Sequence, residues 1–401
     1  MAPNADLCII GGAGHVGLPL ALVFADRGLR VRIVDVSRPA LAAIAKGRMP
    51  FMEEGAPALL RRALRSGRLE LTHRAAGIRG VRHVVLTIGT PIDEFLNPRA
   101  GDIEAALEPL LPHLGGARGR PQTLILRSTV TTGVTEWVAR HLRGRGVRVG
   151  VAFAPERIVQ GRAVSELAKL PQIVSGVTRA AEDEAAALFG RVAPRIVRLK
   201  PREAEFAKLF CNAYRYIQFA AANQFYMIAN SAGLDYSRIH RGMKEGYDRL
   251  RDLPGAGFAA GPCLFKDTMQ LAASPDHDFN LGHAAMRANE RLPVYLVRRL
   301  AQRHDLAKKT VGLLGMAFKA DNDDPRSSLS YKLKKLLKLR AKRVLTTDPY
   351  VKDPDLRPLA EVVRKSDVLI LCAPHSAYAG LDTRGKAVAD VWGFFGRGNR
   401  V

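Results

Sequence analysis

The chain has few cysteines, four in 401 residues, and no two of them form a CxxC pair. This spacing argues against a disulfide framework and against a zinc site, so no metal centre is expected. The sequence has no apolar run of about eighteen residues, and no basic segment precedes the first apolar run at 7–10. Without a membrane-spanning helix or a signal peptide, we expect a cytoplasmic protein that has no membrane partner.

Acidic residues are scarce relative to basic ones, with 38 Asp and Glu against 62 Lys and Arg and a formal net charge of +24. A positive field of this size favours polyanions of any kind and does not choose among them. The densest basic run, 332–340, combines lysines with leucines at helical spacing, which is typical of a surface helix with a solvated basic face. Basic runs of this kind are usually solvated helix faces, so we do not expect a nucleic-acid partner on the basis of the charge.

Glycines follow the first apolar run directly. The sequence GGAGHVG occupies 11–17, an apolar helical stretch continues through Phe24, and the strand-like run 31–35 ends in a carboxylate. This order is typical of a dinucleotide-binding unit. The predicted cofactor contacts are Gly12, Gly14, His15, Val16, Gly17 and Asp35. A carboxylate at Asp35 accepts ribose hydroxyls and repels a 2′-phosphate, which favours NAD over NADP, although Arg38 lies nearby.

Three further strand-like runs lead into polar residues: 84–88 before Thr90, 123–126 before Thr129, and 149–153 before Glu156. The carboxyl ends of parallel strands meet at one edge of a sheet, where α/β proteins bind ligands. We therefore expect Thr90, Thr129 and Glu156 to point towards one crevice. For each residue taken separately, a turn former or a helix cap is the alternative.

The pattern over 203–232 predicts one long and mostly apolar helix. Polar residues interrupt it at steps of three and four, at Glu205, Lys208, Asn212 and Arg215. Residues at this spacing form a stripe along one side of a helix. Because a lysine is costly to bury without a partner, the stripe indicates a functional surface, with a solvent-exposed helix edge as the alternative.

Small residues lead into Cys263, where a helix is predicted to begin near Pro262. A helix N-terminus favours the anionic form of a sulfur, and Lys266 and Asp267 would share the face of that sulfur. Cys263 is therefore a candidate nucleophile, with an inert buried thiol as the alternative. The other three cysteines lie in apolar stretches and are expected in the core; they are Cys8, Cys211 and Cys372.

The last part of the chain repeats the pattern of the first, with strand-like runs at 310–315, 343–348 and 367–372. The predicted fold class is α/β, with two Rossmann-like doubly wound domains joined by a long central helix and a helical middle domain. The predicted boundaries are 1–200 for the NAD-binding domain, 201–304 for the helical domain that carries the cysteine, and 305–401 for the second Rossmann-like domain.

Taken together, these motifs resemble the UDP-glucose/GDP-mannose dehydrogenase family of NAD-dependent nucleotide-sugar dehydrogenases, in the same order and over nearly the whole chain. The segments that carry the resemblance are 12–17, 89–91, 128–130 with Gly133, 154–157, 204–205 with Lys208 and Asn212, 261–267, and 315–319 with Asp324 and Arg326. His15 and the segment 259–262 depart from the commonest family pattern, which leaves the sugar open more than the reaction type.

The resemblance implies that the C6 hydroxyl of a hexose in a nucleotide sugar is oxidised to a carboxylate, with two NAD molecules consumed. Cys263 would be the covalent nucleophile. Lys208, Asn212 and Asp267, with a bound water, would handle the hydroxyl proton and stabilise the oxyanion. Glu156 and Thr129 would activate the water that hydrolyses the thioester.

The resemblance also implies binding residues. Further NAD contacts would come from Thr90, Thr129, Lys266 and Arg326. The implied substrate contacts are Glu156, Arg157, Lys208, Asn212, Arg249, Phe258, Gly261, Phe318 and Lys319, and Arg251 competes for the place of Arg249. The domain over 305–401 would hold a UDP-sugar, and the long helix would form a homodimer or a higher homo-oligomer.

Two other functions compete with this one. A single-hydride hydroxyacid dehydrogenase also combines an N-terminal Rossmann domain with a helical lysine and asparagine, but it needs neither Cys263 nor a second Rossmann-like domain. A basic non-catalytic binding protein would account for the charge. The complete set of Glu156, Lys208, Asn212 and Cys263 argues against that second alternative.

Overall fold

The computed structural model describes residues 5–96, 99, 101–115, 121–259, 261–273, 278–396 and 398. The chain forms two compact units, unit 1 (residues 1–210) and unit 2 (residues 211–401). The strands are β1 (Leu7–Ile10), β2 (Val31–Val34), β3 (Leu69–Thr72), β4 (His83–Leu86), β5 (Thr123–Leu126), β6 (Gly150–Phe153), β7 (Gln172–Gly176), β8 (Ile196–Arg198), β9 (Thr310–Leu314), β10 (Arg343–Thr347), β11 (Val368–Leu371) and β12 (Ala387–Asp390). The helices are α1 (Gly17–Asp26), α2 (Arg38–Ala45), α3 (Ala56–Arg65), α4 (Gly101–Leu107), α5 (Val134–Gly144), α6 (Ala163–Leu167), α7 (Arg179–Phe189), α8 (Pro201–Ser231), α9 (Tyr236–Lys244), α10 (Leu264–Ala272), α11 (Asn280–Arg303), α12 (Leu329–Lys338) and α13 (Leu359–Lys365).

Unit 1 is built on a sheet with the strand order β3-β2-β1-β4-β5-β6-β7-β8. Neighbouring strands are parallel except β6 and β7, which are antiparallel. The central strands β1, β4 and β5 are buried along their whole length, as expected when crossover helices cover both faces of a parallel sheet. The strand order reverses between β1 and β4, and ligands bind at the carboxyl ends of the strands at such a point.

Unit 2 begins within α8 and continues through the helices α9, α10 and α11. Its parallel sheet has the order β10-β9-β11-β12. The first strand of the repeated pattern, β9, therefore lies between β10 and β11, as β1 lies between β2 and β4 in unit 1. Leu313 and Ile370 of this sheet lie in one apolar core with Leu296 of α11 and Leu333 of α12. The predicted α/β class with a second Rossmann-like sheet is confirmed, and the predicted three-domain boundaries stay a prediction.

The cysteine environments differ from the prediction at one position. Cys8 and Cys372 are buried in β1 and just after β11, as expected, but Cys211 is exposed. The prediction for Cys211 was wrong because α8 exposes part of its apolar surface, so an apolar helical context did not imply a core position. Among the described helices, none combines the length and the apolar character needed to cross a bilayer.

The basic run forms α12, and its lysines are less uniformly solvated than predicted. Leu333 and Leu337 are buried as the helical spacing indicated. However, Lys334 is buried and pairs with Asp355 at 3.0 Å, and Lys332 pairs with Glu290 at 2.8 Å. Two charges of this run are therefore used inside unit 2, because the helix packs deeper into the unit than a simple amphipathic pattern indicates.

Candidate active site

The glycine turn of unit 1 has the geometry that a dinucleotide requires. A Cβ atom at Gly12 would lie 2.8 Å from the Ile9 carbonyl oxygen, and one at Gly17 would lie 2.6 Å from the Gly11 carbonyl oxygen, so only glycine fits at both positions. At Gly14 the nearest atom to such a Cβ is 3.4 Å away. The absent side chain at Gly14 therefore leaves open backbone just before α1, where a pyrophosphate can approach the helix N-terminus.

Asp35 lies beside this turn, at the end of β2. Its Oδ2 accepts a hydrogen bond from the Ala13 backbone N–H at 2.9 Å, and its Oδ1 accepts one from the Ser37 N–H at 2.8 Å. Each carboxylate oxygen keeps one further lone pair for a ribose hydroxyl. His15 lies against the Phe51 ring, with the ring centroids 4.0 Å apart, and its Nδ1 is 3.1 Å from the Gln160 amide nitrogen. The turn and Asp35 fit NAD.

The loops after β4 and β5 meet as predicted. The Thr90 hydroxyl donates a hydrogen bond to the Thr129 carbonyl oxygen at 2.6 Å. The Ser128 hydroxyl donates to the Ile88 carbonyl oxygen at 2.7 Å. Both contacts join the carboxyl ends of adjacent parallel strands, so Thr90 and Thr129 lie together at one edge of the sheet. Their contacts with NAD stay a prediction.

Glu156, after β6, is held by an arginine that the sequence reasoning missed. Its Oε2 accepts a charge-assisted hydrogen bond from the Arg127 guanidinium, and its Oε1 accepts from the N–H groups of Arg157 and Ile158 at 2.6 and 2.7 Å. The Arg157 guanidinium donates to the Pro171 carbonyl oxygen. A signal for Arg127 was present, since it directly follows an apolar strand whose parallel neighbour leads to Glu156.

Glu205 does not belong with the functional stripe of α8. Its carboxylate is fully buried and accepts hydrogen bonds from the N–H groups of Gly133 and Thr135, at 2.6 and 2.8 Å, and from the Thr135 hydroxyl. Burial raises the pKa of Glu205, against the opposing effect of these hydrogen bonds. Glu205 therefore caps the N-terminus of α5, which is a structural role, and Arg215 is exposed.

Lys208 lies one turn after Glu205 on α8 and has a different environment. Only 7% of its surface is exposed. Within the described part of the chain, no carboxylate or hydrogen-bond acceptor contacts its ammonium group. Buried lysines are rarely left unpaired, because the desolvated charge is unfavourable. Lys208 is therefore a largely buried cation for which the described residues supply no carboxylate, and an anionic group of a substrate could pair with it.

Cys263 occupies the N-cap position of α10, close to the predicted helix start, and its side chain is exposed. The next turn carries Asp267, whose backbone N–H donates to the Cys263 carbonyl oxygen at 2.8 Å. The buried Asp267 carboxylate accepts a hydrogen bond from Asn212 Nδ2 at 2.5 Å and forms an ion pair with Lys266 Nζ, also at 2.5 Å. The structure thus brings together Asn212, Lys266 and Asp267, next to the turn that holds the cysteine.

The loop before Cys263 packs against the segment that follows β9. Gly261 has φ +104°, and a Cβ there would lie 2.6 Å from the Phe318 ring; its N–H donates to the Ser327 carbonyl oxygen at 3.4 Å. Arg326 forms a two-point contact with Asp324, at 2.9 Å from Nε and 2.6 Å from Nη2. These hydrogen bonds raise the pKa of Arg326, and the charge of Cys263 makes a smaller contribution in the same direction.

Three further predicted substrate contacts, and the competing Arg251, have different local environments in unit 2. Phe258 is buried in the apolar core of unit 2. Lys319 Nζ lies 5.9 Å from the centre of the Phe318 ring. Arg249 lies over the Tyr247 ring, whereas Arg251 is paired with Asp248 at 2.5 Å. Their roles as substrate contacts, and the choice between Arg249 and Arg251, stay predictions.

A buried amide network that the sequence reasoning missed fixes the start of the cysteine loop. The Gly257 N–H donates to Asn223 Oδ1 at 2.9 Å, and Asn223 Nδ2 donates to Asn289 Oδ1, also at 2.9 Å. Asn289 in turn donates to the Tyr216 carbonyl oxygen at 3.1 Å. No sequence signal joins these residues, because they come from a loop and two different helices.

Three side chains on the surface of unit 1 lie within metal-ligand range of one another: Glu104, Glu108 and His141. Two of them are exposed carboxylates, and Arg145 donates two hydrogen bonds of 2.9 Å to Glu108. Exposed acidic groups of this kind are common without a metal. Glu108 already has a cationic partner in Arg145, and the cluster is not taken as a metal site.

Three family models match the chain in order. They are the NAD binding domain, the central domain and the UDP binding domain of the UDP-glucose/GDP-mannose dehydrogenase family, at residues 5–192, 202–291 and 312–397 respectively. Together they span most of the sequence.

Individual relatives are consistent with these matches. The chain is 30% identical over 384 residues to a UDP-N-acetyl-D-mannosamine dehydrogenase of Pyrococcus horikoshii, covering 92% of this chain and 90% of the relative. It is also 30% identical over 397 residues to a UDP-glucose 6-dehydrogenase of Pseudomonas aeruginosa, covering 94% and 86%. A solved structure of a UDP-glucose dehydrogenase from Pyrobaculum islandicum superposes with a TM-score of 0.87 at 30% identity, covering 97% of this chain and 94% of that one.

Proposed function

Because the chain belongs to the UDP-glucose/GDP-mannose dehydrogenase family, we propose that it oxidises the C6 hydroxyl of a UDP-sugar to a carboxylate in two steps, through a thioester on Cys263. The chain is an NAD-dependent nucleotide-sugar dehydrogenase. The observation that carries the finer proposal is the exposed Cys263 at the N-cap of α10, with the buried Asp267 one turn later.

NAD, when bound, accepts a hydride from the sugar carbon in each oxidation. The glycine turn and Asp35 would hold it, by the contacts that fit the pyrophosphate and the ribose. In the first step the C6 hydroxyl loses its proton as the hydride leaves, which gives an aldehyde. A water held by Asn212 and Asp267 takes this proton, and the Lys208 ammonium stabilises the negative charge on oxygen.

In the second step the Cys263 thiolate bonds to the aldehyde carbon, the C=O double bond becomes a single bond, and the oxygen takes a proton from the water held by Asn212 and Asp267, which gives a thiohemiacetal. Loss of the second hydride from this carbon, with return of the hydroxyl proton to the same water, converts it into a thioester. The helix N-terminus and the nearby Arg326 favour the thiolate that begins this step. A covalent adduct also retains the reactive aldehyde on the enzyme.

The last step is hydrolysis. The oxygen of a water bonds to the thioester carbon, Glu156 accepts the proton of that water, and the carbon–sulfur bond breaks to return the Cys263 thiolate. Thr129 helps to place the water. The support for Glu156 is its oriented carboxylate after β6, and the support for Thr129 is its place at the same sheet edge as Thr90.

The substrate is proposed to be a UDP-hexose or a UDP-N-acetylhexosamine, since relatives of both kinds are similar to nearly the whole chain. The test is NADH release over a panel of UDP- and GDP-sugars, with the stoichiometry recorded. We expect two NADH per sugar and a uronate product for at least one UDP-sugar. One NADH per substrate would instead favour a single-hydride dehydrogenase, and salt-sensitive polynucleotide binding without turnover would favour a binding protein.

The oligomer is proposed to be a homodimer formed through α8. Four large side chains form an exposed apolar stripe on α8, because their spacing places them on one face of the helix. Their exposed fractions are 54% for Phe210, 62% for Tyr214, 44% for Phe225 and 60% for Ile228. Large apolar side chains in such a row mark an interaction surface. A self-complementary interface on a two-fold axis would bury it.

Light scattering of the purified protein is expected to give about twice the chain mass of 43.8 kDa. Ile228→Asp should give the monomer mass, because it places a charge within the apolar stripe. Leu339→Asp is the matched control, since Leu339 is 83% exposed but lies outside α8. A monomeric native protein, or an Ile228→Asp variant that keeps the native mass, would contradict the α8 interface.

A further inference from the structure

Arg127 is a fully buried cation that takes no part in the chemical steps proposed above. Its surface is 1% exposed, and it follows β5 in the interior of unit 1. Nη1 donates to the Ala154 carbonyl oxygen and to Gln172 Oε1, both at 3.0 Å, and Nη2 donates to Glu156. The guanidinium also lies 4.9 Å from the centre of the Phe189 ring.

A buried ion pair is weak evidence for stability. Desolvation of both charges opposes their attraction, and apolar residues of similar volume often replace such a pair without loss. Burial lowers the pKa of Arg127, with the attraction of Glu156 acting in the opposite direction, yet an arginine stays charged in proteins. Packing alone therefore does not explain why a charged side chain lies at this position, which indicates a functional role for Arg127.

The contacts of Glu156 indicate that role. Oε1 accepts from two backbone N–H groups, those of Arg157 and Ile158, so both of its lone pairs are occupied. Oε2 accepts from Arg127 and keeps one lone pair. The side chain is 12% exposed. Glu156 is therefore held in one orientation, as a carboxylate with a single free acceptor position.

We propose that Arg127 is a positioning residue for thioester hydrolysis, which holds Glu156 so that its one free lone pair on Oε2 accepts the proton of the attacking water. The inference rests on the proposed function of Glu156. Arg127 itself touches neither the water nor the thioester. Its planar fork fixes the carboxylate and the carboxyl ends of β5 and β6 together, which a lysine at the same position cannot do.

The test compares Arg127→Lys with the native enzyme in rapid-mixing experiments on the UDP-sugar that the native enzyme turns over. We expect the two NADH of the first turnover at the native rate, followed by a steady-state rate that is lower by about 10-fold to 100-fold. Intact-protein mass spectrometry should then show the acyl group accumulating on Cys263. Glu156→Gln should give the same burst and the same adduct.

Rescue by hydroxylamine distinguishes slow thioester hydrolysis from a general structural defect, because hydroxylamine would not restore the rate of a misfolded variant. It attacks a thioester without help from a base, so the carbon–sulfur bond breaks, a hydroxamate forms and the Cys263 thiolate returns. Hydroxylamine should therefore restore the steady-state rate of Arg127→Lys. The matched control is Gln122→Leu. Gln122 directly precedes β5, the strand that Arg127 follows, and its Nε2 donates two buried hydrogen bonds, of 2.9 and 2.7 Å, to the Ile78 and Val81 carbonyl oxygens. The substitution removes both without touching Glu156. It should lower thermal stability and show neither burst nor adduct.

The outcomes separate this inference from the proposed function. A native enzyme that releases two NADH, together with an Arg127→Lys variant that has a native steady state or loses all phases equally, overturns the role of Arg127 alone. An adduct in Arg127→Lys but none in Glu156→Gln also overturns it, because Arg127 would not act through Glu156. A native enzyme that releases fewer than two NADH refutes the proposed function, and the inference with it.

A second variant covers the case in which Arg127→Lys does not fold. Gln172→Met removes the acceptor that orients the Arg127 guanidinium, together with the hydrogen bonds that Gln172 Nε2 donates to the Pro155 and Ile173 carbonyl oxygens, and it leaves both charges of the ion pair in place. It should show the same burst, adduct and hydroxylamine rescue, with a smaller loss of about 3-fold to 10-fold in the steady state. A folded Gln172→Met variant without any acyl accumulation would overturn the proposal.

Discussion

Cys263→Ser is expected to release at most one NADH per sugar and to lower the rate of the second oxidation by about 10³-fold or more. A serine hydroxyl at the same N-cap is a much weaker nucleophile than a thiolate, so the aldehyde is no longer captured. The first oxidation should continue, because its proton is handled by Asn212 and Asp267, which are joined by a hydrogen bond of 2.5 Å that does not involve the sulfur. NADH stoichiometry and chromatography of the aldehyde and the uronate measure both effects.

The control for this experiment is Cys211→Ser. Cys211 is also exposed, but it lies on α8, and the proposed chemistry gives it no part. Its replacement should leave the rate and the two-NADH stoichiometry unchanged within about twofold. If Cys263→Ser still released two NADH at the native rate, the covalent mechanism would be wrong, although the family assignment would stand.

Lys208→Met is expected to lower kcat by about 10²-fold to 10³-fold with little change in KM. The reason is that the ammonium stabilises an oxyanion that appears only during the reaction. The same substitution should raise the free energy of unfolding, by about 1 kcal/mol, because it replaces a buried charge without a described partner by an apolar side chain of similar length. Steady-state kinetics and urea unfolding measure the two effects on one sample.

The matched control is Lys200→Met, which removes an exposed lysine just before α8. It should change neither kcat nor stability appreciably, since exposed charges of this kind contribute little. A Lys208→Met variant that is both active and less stable would show that Lys208 has a structural role. A loss of activity with a gain in stability is the pattern expected of a residue retained for catalysis.

Local patterns in the sequence were sufficient for the main elements. The apolar run at 7–10 and the run at 123–126 are strands with those bounds, and the helix predicted over 203–232 spans Pro201–Ser231. The glycine turn and Asp35 lie together as predicted. Strand length, helical period and glycine spacing are properties of neighbouring residues, so they are visible without the fold.

The same local evidence misjudged residues whose environment comes from a distant part of the chain. Glu205 appeared to belong with Lys208 on a functional stripe, but the turn at 133–135 folds back onto it. Cys211 appeared to be a core residue, but its side of α8 is exposed. Periodicity shows which residues share a helix face, but it does not show what covers that face.

The sequence by itself determined the α/β class, the NAD-binding turn, the repeated Rossmann pattern and the position of Cys263 at a helix start, because each depends on residues close together in the chain. Only the tertiary structure decided that Arg127 holds Glu156 and that Asn212 and Lys266 both contact the buried Asp267. These contacts depend on burial. A charge removed from water needs a partner, and the packing of segments that are distant in the chain determines which residue is that partner.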